Sequence, residues 1–258
     1  MNFETITYRA ASGIATITLN RPAVMNALSR QLRAEMLVAI GAAADQARVL
    51  VITGAGRAFC SGQDLTDAAA LGVLDLEKTL NDEYVPLLMA ITHCPIPTIA
   101  AVNGAAAGAG ANLALAADVV IAAQSASFIQ AFTRIGLVPD AGGTYWLPRQ
   151  IGMARSMGAM LFADKVTAAQ AVEWGMIYEC VPDDGFVGHV HARANQLANG
   201  PTVAYRGIKT ALRESPGNDL ATQLALEARL QGECGATADF HEGVAAFLGK
   251  RAARFTGK

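Results

Sequence analysis

Charge is scarce in this chain. Of its 258 residues only 16% are Asp, Glu, Lys or Arg, against 52% hydrophobic, and the formal net charge is −2. No basic patch is visible, which argues against a nucleic-acid partner bound through phosphate neutralisation. Cysteine is equally thin: Cys60, Cys94, Cys180 and Cys234 are scattered, with no C-x-x-C pair. That fits reduced thiols better than a disulfide framework or a zinc site. His189 and His191 stand two apart in "GHVHAR" with no carboxylate or cysteine beside them, which favours a solvated helix face over a metal site. Long apolar runs are missing too. The Ala-rich stretch from Ile96 is broken by Asn103, Asn112 and Asp118, short of the about 18 uninterrupted residues of a membrane span. The opening "MNFETITYRA" lacks the apolar core of a secretory signal. These absences predict a soluble, cytoplasmic protein with no metal and no membrane partner. The high hydrophobic share predicts a sizeable core.

What is present reads as α/β. "ITYRAASGIATITLN" predicts two strands joined at Ala11-Ser12-Gly13, with Ile14, Thr16 and Thr18 on one face and Ala15, Ile17 and Leu19 on the other. Ser29 fits the N-cap of a helix carrying Leu32, Met36, Leu37 and Ile40 on one side. "RVLVITG" reads as a buried strand, Leu80–Ile91 as a helix, and "CPIPTIAAVNG" and "DVVIAA" as further strands. Alternating strands and helices favour a largely parallel sheet covered by helices. Residues 145–258 read as mostly helical. Thr167-x-x-Gln170 makes a capping box, Gly175 suits a C-cap, Pro201 a first turn, and Phe240, Val244 and Phe247 recur at helical spacing. The expected organisation is a core over residues 1–195 and a helical region over 196–258.

Two glycine-rich loops follow apolar strands: "AFCSGQDL" from Ala58 and "NGAAAGAGANLALAAD" from Asn103. Small residues there let a ligand approach the backbone, and amides at a helix start are unpaired donors. Neither loop has the G-x-x-x-x-G-K-[ST] or G-x-G-x-x-G phosphate pattern. Spacing alone leaves two options open, an anion hole made of amides or tight helix–sheet packing through small residues. A third stretch, "IGLVPDAGGT", places Asp140 between a proline and a glycine pair. That is a good turn or helix-cap sequence, and also a setting for a catalytic carboxylate.

"NRPAVMNALS", "TGAGRAFCSGQDL", "VNGAAAGAGANLALAADVVIAA", "GLVPDAGGTYWLPRQIG" and "TAAQAVEWGMIYECV" occur in the order and spacing of the enoyl-CoA hydratase/isomerase, or crotonase, family. The chain resembles that family from Ile6 to Ala246. The resemblance implies an α/β, crotonase-like core of repeated ββα units and a C-terminal helical region that mediates trimerisation. It also implies a homotrimer or dimer of trimers, an acyl-CoA thioester substrate, and no cofactor beyond the CoA of that substrate. Two backbone N–H groups would hold the thioester oxygen as an enolate forms; by position they are those of Gln63 and Ala109. Ala23, Val24, Ala58, Ser61, Asp64 and Leu65 would line the CoA channel, and Asn112, Phe132 and Leu137 would face the substrate.

Members of the family that add water resemble one another in using two glutamates, and those positions hold Asn112 and Phe132 here. Hydration needs one group to activate water and another to handle the α-proton. Other branches place an aspartate where this chain has Asp140. The resemblance therefore implies an isomerase that shifts a double bond or opens a ring epoxide beside the thioester, with Asp140 as base and acid. Phe132, Ile135, Leu137 and Val138 would keep the pocket dry. Two alternatives stand beside it: a hydratase using unconventional residues, and a catalytically silent acyl-CoA-binding protein. Asp67–Tyr84 is expected to form a mobile wall of the pocket. Arg134 and Arg149 are read as surface arginines before CoA-phosphate ligands, Cys60 as packing, and Tyr145 and Trp146 as core or pocket wall. Lys250 and Arg251 resemble a tail reaching a neighbouring subunit's CoA.

Overall fold

In the computed structural model, which describes residues 2–66 and 75–258, strands and helices alternate and the strands sort into two sheets. The chain enters through a hairpin. Strand β1 (Ile6–Ala11) turns at Ser12 and Gly13 into β2 (Ile14–Leu19), pairing antiparallel from Ile6↔Leu19 to Ala11↔Ile14. In β2, Ala15, Ile17 and Leu19 are fully buried while Ile14, Thr16 and Thr18 are only half-buried, as a period-2 strand with one covered face requires. Ser29 caps helix Arg30–Gln46 by accepting from the Leu32 N–H at 3.2 Å. Leu32, Met36 and Ile40 face the core. Leu37, expected with them, is exposed, because one residue past Met36 it is turned about 100° off the buried stripe. Arg33 lies on that stripe instead, only 4% exposed.

Three strand pairs come next: β3 (Val49–Gly54) with β4 (Ala58–Cys60), β5 (Thr98–Val102) with β6 (Ala105–Ala107), and β7 (Val119–Ala123) with β8 (Ser127–Ile129). The first strand of each pair joins one sheet and the second joins the other. With β9 (Val166–Thr167) and β10 (Glu179–Val181), the orders are β1-β2-β3-β5-β7-β10 and β4-β6-β8-β9. Apart from the β1–β2 hairpin, every neighbour in the larger sheet is parallel. Both faces of such a sheet are covered, and "TIAAV" of β5 is accordingly buried at every position. Helices Val85–Thr92, Ala109–Leu115 and Gly143–Phe162 come after successive pairs, giving the repeated ββα core. The two glycine loops are therefore shorter than the sequence suggests. Ala58–Cys60 and Ala105–Ala107 are strands of the smaller sheet, and only the few residues between each strand and the next element are loop.

The capping box at Thr167 and Gln170 opens helix Ala168–Glu173, and Gly175 lies just past its end. Helix Phe186–Ala198 runs through residue 195 and packs on β2, β3 and β7. Pro201 occupies the N-cap of the next helix, Thr202–Glu214, rather than its first turn. Helices Leu220–Gly235 and Ala238–Leu248 complete a C-terminal helical region. Its attachment to the core is partly ionic. Lys209 pairs with Asp118 at 2.7 Å and donates to the Cys94 and Ile96 carbonyls, so its three ammonium protons all have acceptors.

Candidate active site

A cavity of about 290 Å³ opens where the two glycine loops meet. The loops touch through backbone, and two glycines make that possible. A Cβ on Gly62 would stand 2.9 Å from the Ala107 carbonyl oxygen, and one on Gly110 only 2.4 Å from that of Cys60. Any side chain at Gly110 would force the loops apart.

Two amides flank this contact, those of Gln63 and Ala109. Leu28 bridges in parallel to Gln63: its N–H donates to Gly62 O at 2.8 Å, and its O accepts from Asp64 N–H at 3.3 Å. In such a bridge the N–H of the middle residue points the other way, so that of Gln63 faces the cavity side. Ala109 is the first residue of helix Ala109–Leu115, where an amide has no carbonyl one turn back to bond. Both residues line the cavity.

Asp140 lines the same cavity. The helix-cap alternative is not what the chain adopts, since the N-cap of helix Gly143–Phe162 is Gly142 and no side chain caps it. The fixed part of Asp140 is its backbone carbonyl, which accepts from Asn112 Nδ2 at 2.8 Å and from Gly143 N–H at 2.9 Å. Its carboxylate lines the cavity, and Oδ1 is buried with no hydrogen-bond partner among the described residues. Burial without compensation pushes the carboxyl up to about 6.

Of the residues singled out in the sequence, the cavity brings together Ser61, Gln63, Leu65, Ala109, Phe132, Leu137 and Asp140. Phe132 is buried, with its ring beside Gly108. Ile135 also lines the cavity, whereas Val138 is 74% exposed and lies outside it, so the apolar wall is shorter than expected. Asn112 lies outside that set. It is fully buried, absent from the cavity wall, and held between the Asp140 carbonyl and Gln130, whose Nε2 donates to its Oδ1 at 2.8 Å. It braces the Asp140 backbone from outside the cavity wall. Asp64 also points elsewhere: its carboxylate pairs with Arg21 at 2.7 Å and accepts from the Thr66 N–H. Ala58 is sealed inside β4, paired with Ala105. Ala23 and Val24 sit exposed on the turn Pro22–Val24, beside Ser61, whose hydroxyl donates to the Val24 carbonyl.

Arg134 reaches the cavity while donating to Ala163 O at 2.6 Å. Arg149 instead stacks its guanidinium 3.7 Å over the Tyr145 ring, away from the cavity. Trp146 packs against the core. Arg251 pairs with Glu242 of its own chain at 2.6 Å. Cys60 is fully buried and its thiol is pushed up to about 12, which leaves it inert packing. Of the expected wall Asp67–Tyr84, residues 67–74 lie outside the described residues, while Leu76, Thr79, Leu80 and Tyr84 line the cavity.

Arg33, and the part it plays with Tyr84, escaped the sequence reading. The Arg33 guanidinium lies 4.6 Å from the centre of the Tyr84 ring, donates to the Tyr84 hydroxyl at 3.3 Å, and pairs with Glu83. Tyr84 in turn donates to Gln63 Oε1. The signal was there: a charged residue three before Met36 and seven before Ile40 falls on the apolar stripe of its helix.

The sheet topology, the paired loops and the cavity between them define a crotonase-type fold, and comparison with known proteins agrees. The family model for enoyl-CoA hydratase/isomerase matches residues 9–258, and the chain belongs to that family. Among its relatives, a protein of Rhodobacter capsulatus named "Probable enoyl-CoA hydratase" is 61% identical over the whole of both chains. The 1,2-epoxyphenylacetyl-CoA isomerase of Escherichia coli is 44% identical, with 99% of each chain covered. Of solved structures, the enoyl-CoA hydratase of Bacillus anthracis superimposes with a TM-score of 0.91 at 32% identity, over 99% of this chain and 100% of that one.

Proposed function

We propose that this enzyme is an acyl-CoA isomerase that moves a double bond, or opens a ring epoxide, beside a CoA thioester, with Asp140 carrying the proton. Asp140 takes a proton from the carbon next to the thioester carbonyl, and the electron pair moves onto the thioester oxygen. The Gln63 and Ala109 amides hold that oxygen as an enolate. Protonation two carbons further along restores the carbonyl and leaves the double bond in conjugation. No water is taken up, so one carboxylate serves for both transfers.

The observation that carries this reading is the half-buried Asp140 carboxylate in the cavity, its Oδ1 buried with no partner among the described residues and its pKa raised to about 6. A carboxylate so raised is mostly ionised at neutral pH and is a stronger base than an exposed one. Phe132, Ile135 and Leu137 around it disfavour water. The name of the 44% identical relative supports a ring epoxide among the substrates.

The test follows conjugation spectrophotometrically with a 3-enoyl-CoA. Wild type is expected to convert it, and Asp140→Asn to lose at least about 100-fold in kcat. Equal activity of the two would overturn the assignment. Binding of acyl-CoA without turnover of either substrate class would instead favour a silent binder.

A hydratase is the second reading, and the name of the 61% identical relative favours it. Against it, the positions that would carry the two glutamates are Asn112 and Phe132, one buried behind Asp140 and the other a hydrocarbon wall. Loss of absorbance from a 2-enoyl-CoA, at a rate matching the isomerisation, would establish it.

The same reading extends to assembly and location. An apolar groove of about 920 Å³ runs between the last three helices, with Ile208, Leu224, Phe240, Val244, Phe247 and Leu248 exposed along it. A homotrimer, or a dimer of trimers, would cover it, and light scattering after gel filtration would measure that mass. Among the described residues no helix is long and apolar enough to cross a membrane, and no cluster of three or more His, Cys, Asp or Glu could hold a metal ion. A cytoplasmic enzyme taking CoA only as part of its substrate completes the proposal.

A further inference from the structure

The Gln63 side chain has no part in the chemistry described above, where only its backbone N–H acts. Its surroundings nevertheless fix which way it faces. Arg33 is buried, can only donate, and donates to the Tyr84 hydroxyl. The one hydrogen of that hydroxyl then goes to an acceptor, and it goes to Gln63 Oε1. Burial pushes the Tyr84 phenol well above its usual range, so it stays a neutral donor at any working pH. With Oε1 held as acceptor, the Gln63 amide cannot flip without breaking the chain. Its Nε2 has no hydrogen-bond partner among the described residues, and Gln63 lines the cavity along with Tyr84, Ala109 and Asp140.

We infer that Gln63 Nε2, oriented through Arg33 and Tyr84, is a specificity-determining donor that recognises an oxygen carried on the β or γ carbon of the acyl group. The inference rests on the acyl-CoA reading above and deepens it. A Gln whose backbone N–H meets the thioester oxygen can place its side-chain amide only a few ångströms further along, which is the reach of the β and γ carbons. An ether, epoxide or hydroxyl oxygen there accepts the bond. A plain hydrocarbon chain leaves Nε2 unpaired in a largely apolar cavity, and a site built to bond an oxygen disfavours the analogue that lacks it. A ring epoxide fused next to the acetyl carbon, as named in the 44% identical relative, carries its oxygen at that place. Gln63 therefore selects oxygenated acyl groups, and Tyr84 and Arg33 act as positioning residues.

The experiment measures binding, so it does not depend on turnover. Two unreactive probes of equal length are titrated by calorimetry: hexanoyl-CoA and propoxyacetyl-CoA, in which an ether oxygen replaces the β methylene. Wild type is expected to prefer the ether. In Gln63→Met the ratio of the two Kd values should fall about three- to tenfold, as for loss of one neutral hydrogen bond. Tyr84→Phe keeps the amide but frees it to rotate, and should lower the ratio by a smaller factor. A cavity-shape effect alone would move both ligands together and leave the ratio unchanged. The inference is overturned if the ratio is the same in wild type and Gln63→Met, with Tyr84→Phe as the check should the first variant fail to fold. A turnover assay run alongside, with a 3-enoyl-CoA and a ring-epoxide acyl-CoA, separates the two failures: an unchanged ratio with either substrate turned over sinks only the role of Gln63, while turnover of neither sinks the isomerase.

Discussion

The two walls of the cavity are made differently. One is backbone: Gln63 and Ala109 line the cavity next to Gly62 and Gly110, the glycines that let two loops meet with nothing between them. The other is side chain: Asp140, Phe132, Ile135 and Leu137 project from a segment pinned by its carbonyls, chiefly through Asn112. A backbone wall needs space and tolerates many side chains that do not fill it. A side-chain wall owes its chemistry to one carboxylate. In the proposed reaction the first would hold charge that develops on an oxygen, and the second would decide what happens to the proton.

Four further measurements bear on that contrast, beginning with the largest effect. Asp140→Asn removes the proposed proton carrier and leaves the backbone wall intact, so activity should fall at least about 100-fold while acyl-CoA affinity stays within the same order. A comparable loss of affinity would mean that the two walls are not separable. Gly110→Ala attacks the other wall by driving a Cβ to 2.4 Å from Cys60 O and 2.7 Å from its sulfur. We expect about 1–3 kcal/mol of lost stability in urea unfolding, by the usual cost of overpacking.

Titration of Asp140 then separates chemistry from folding. As a base it must be ionised, so kcat/KM should rise about tenfold per pH unit on the acid side and level off above about 6. Its stability effect has the opposite sign. Because the folded pKa is raised above the unfolded value, the ionised form is penalised only in the folded state, and the penalty is full above pH 6 and gone below about 4. Asp140→Asn should therefore be the more stable protein at pH 8, by about 1–2 kcal/mol after allowing for partial solvent screening, with the difference vanishing in acid. Denaturant midpoints at both pH values would measure it, and a constant difference would refute the assigned cause. The smallest effect belongs to Ala109→Ser, which alters a side chain on the backbone wall and should change kcat/KM by less than about threefold.

Much of the molecule is legible in its sequence. The β1–β2 hairpin, the Ser29 cap and the Thr167–Gln170 capping box depend on neighbours in sequence, and each formed as its local pattern required. The glycine loops and Asp140 could be found because several spaced motifs had to agree. Contacts that join distant segments were harder to see. Leu37 and Val138 look as apolar as their neighbours and ended exposed. The bracing of the Asp140 backbone by Asn112 was not visible either, since nothing local says that Gln130 and the Asp140 carbonyl flank it.

By itself, then, the sequence determined the strand–helix alternation, the small residues at the loop crossing, and the loss of both glutamate positions, because periodicity, glycine and residue identity are local properties. Tertiary structure alone decided which way each polar group faces. It turned the Gln63 amide toward the cavity through its bridge to Leu28, left Asp140 Oδ1 buried without a partner, and ran the Arg33–Tyr84–Gln63 chain across residues dozens of positions apart. The physical reason is desolvation. A hydrogen bond or a raised pKa depends on what excludes water around a group, and that is set only when remote segments close over it.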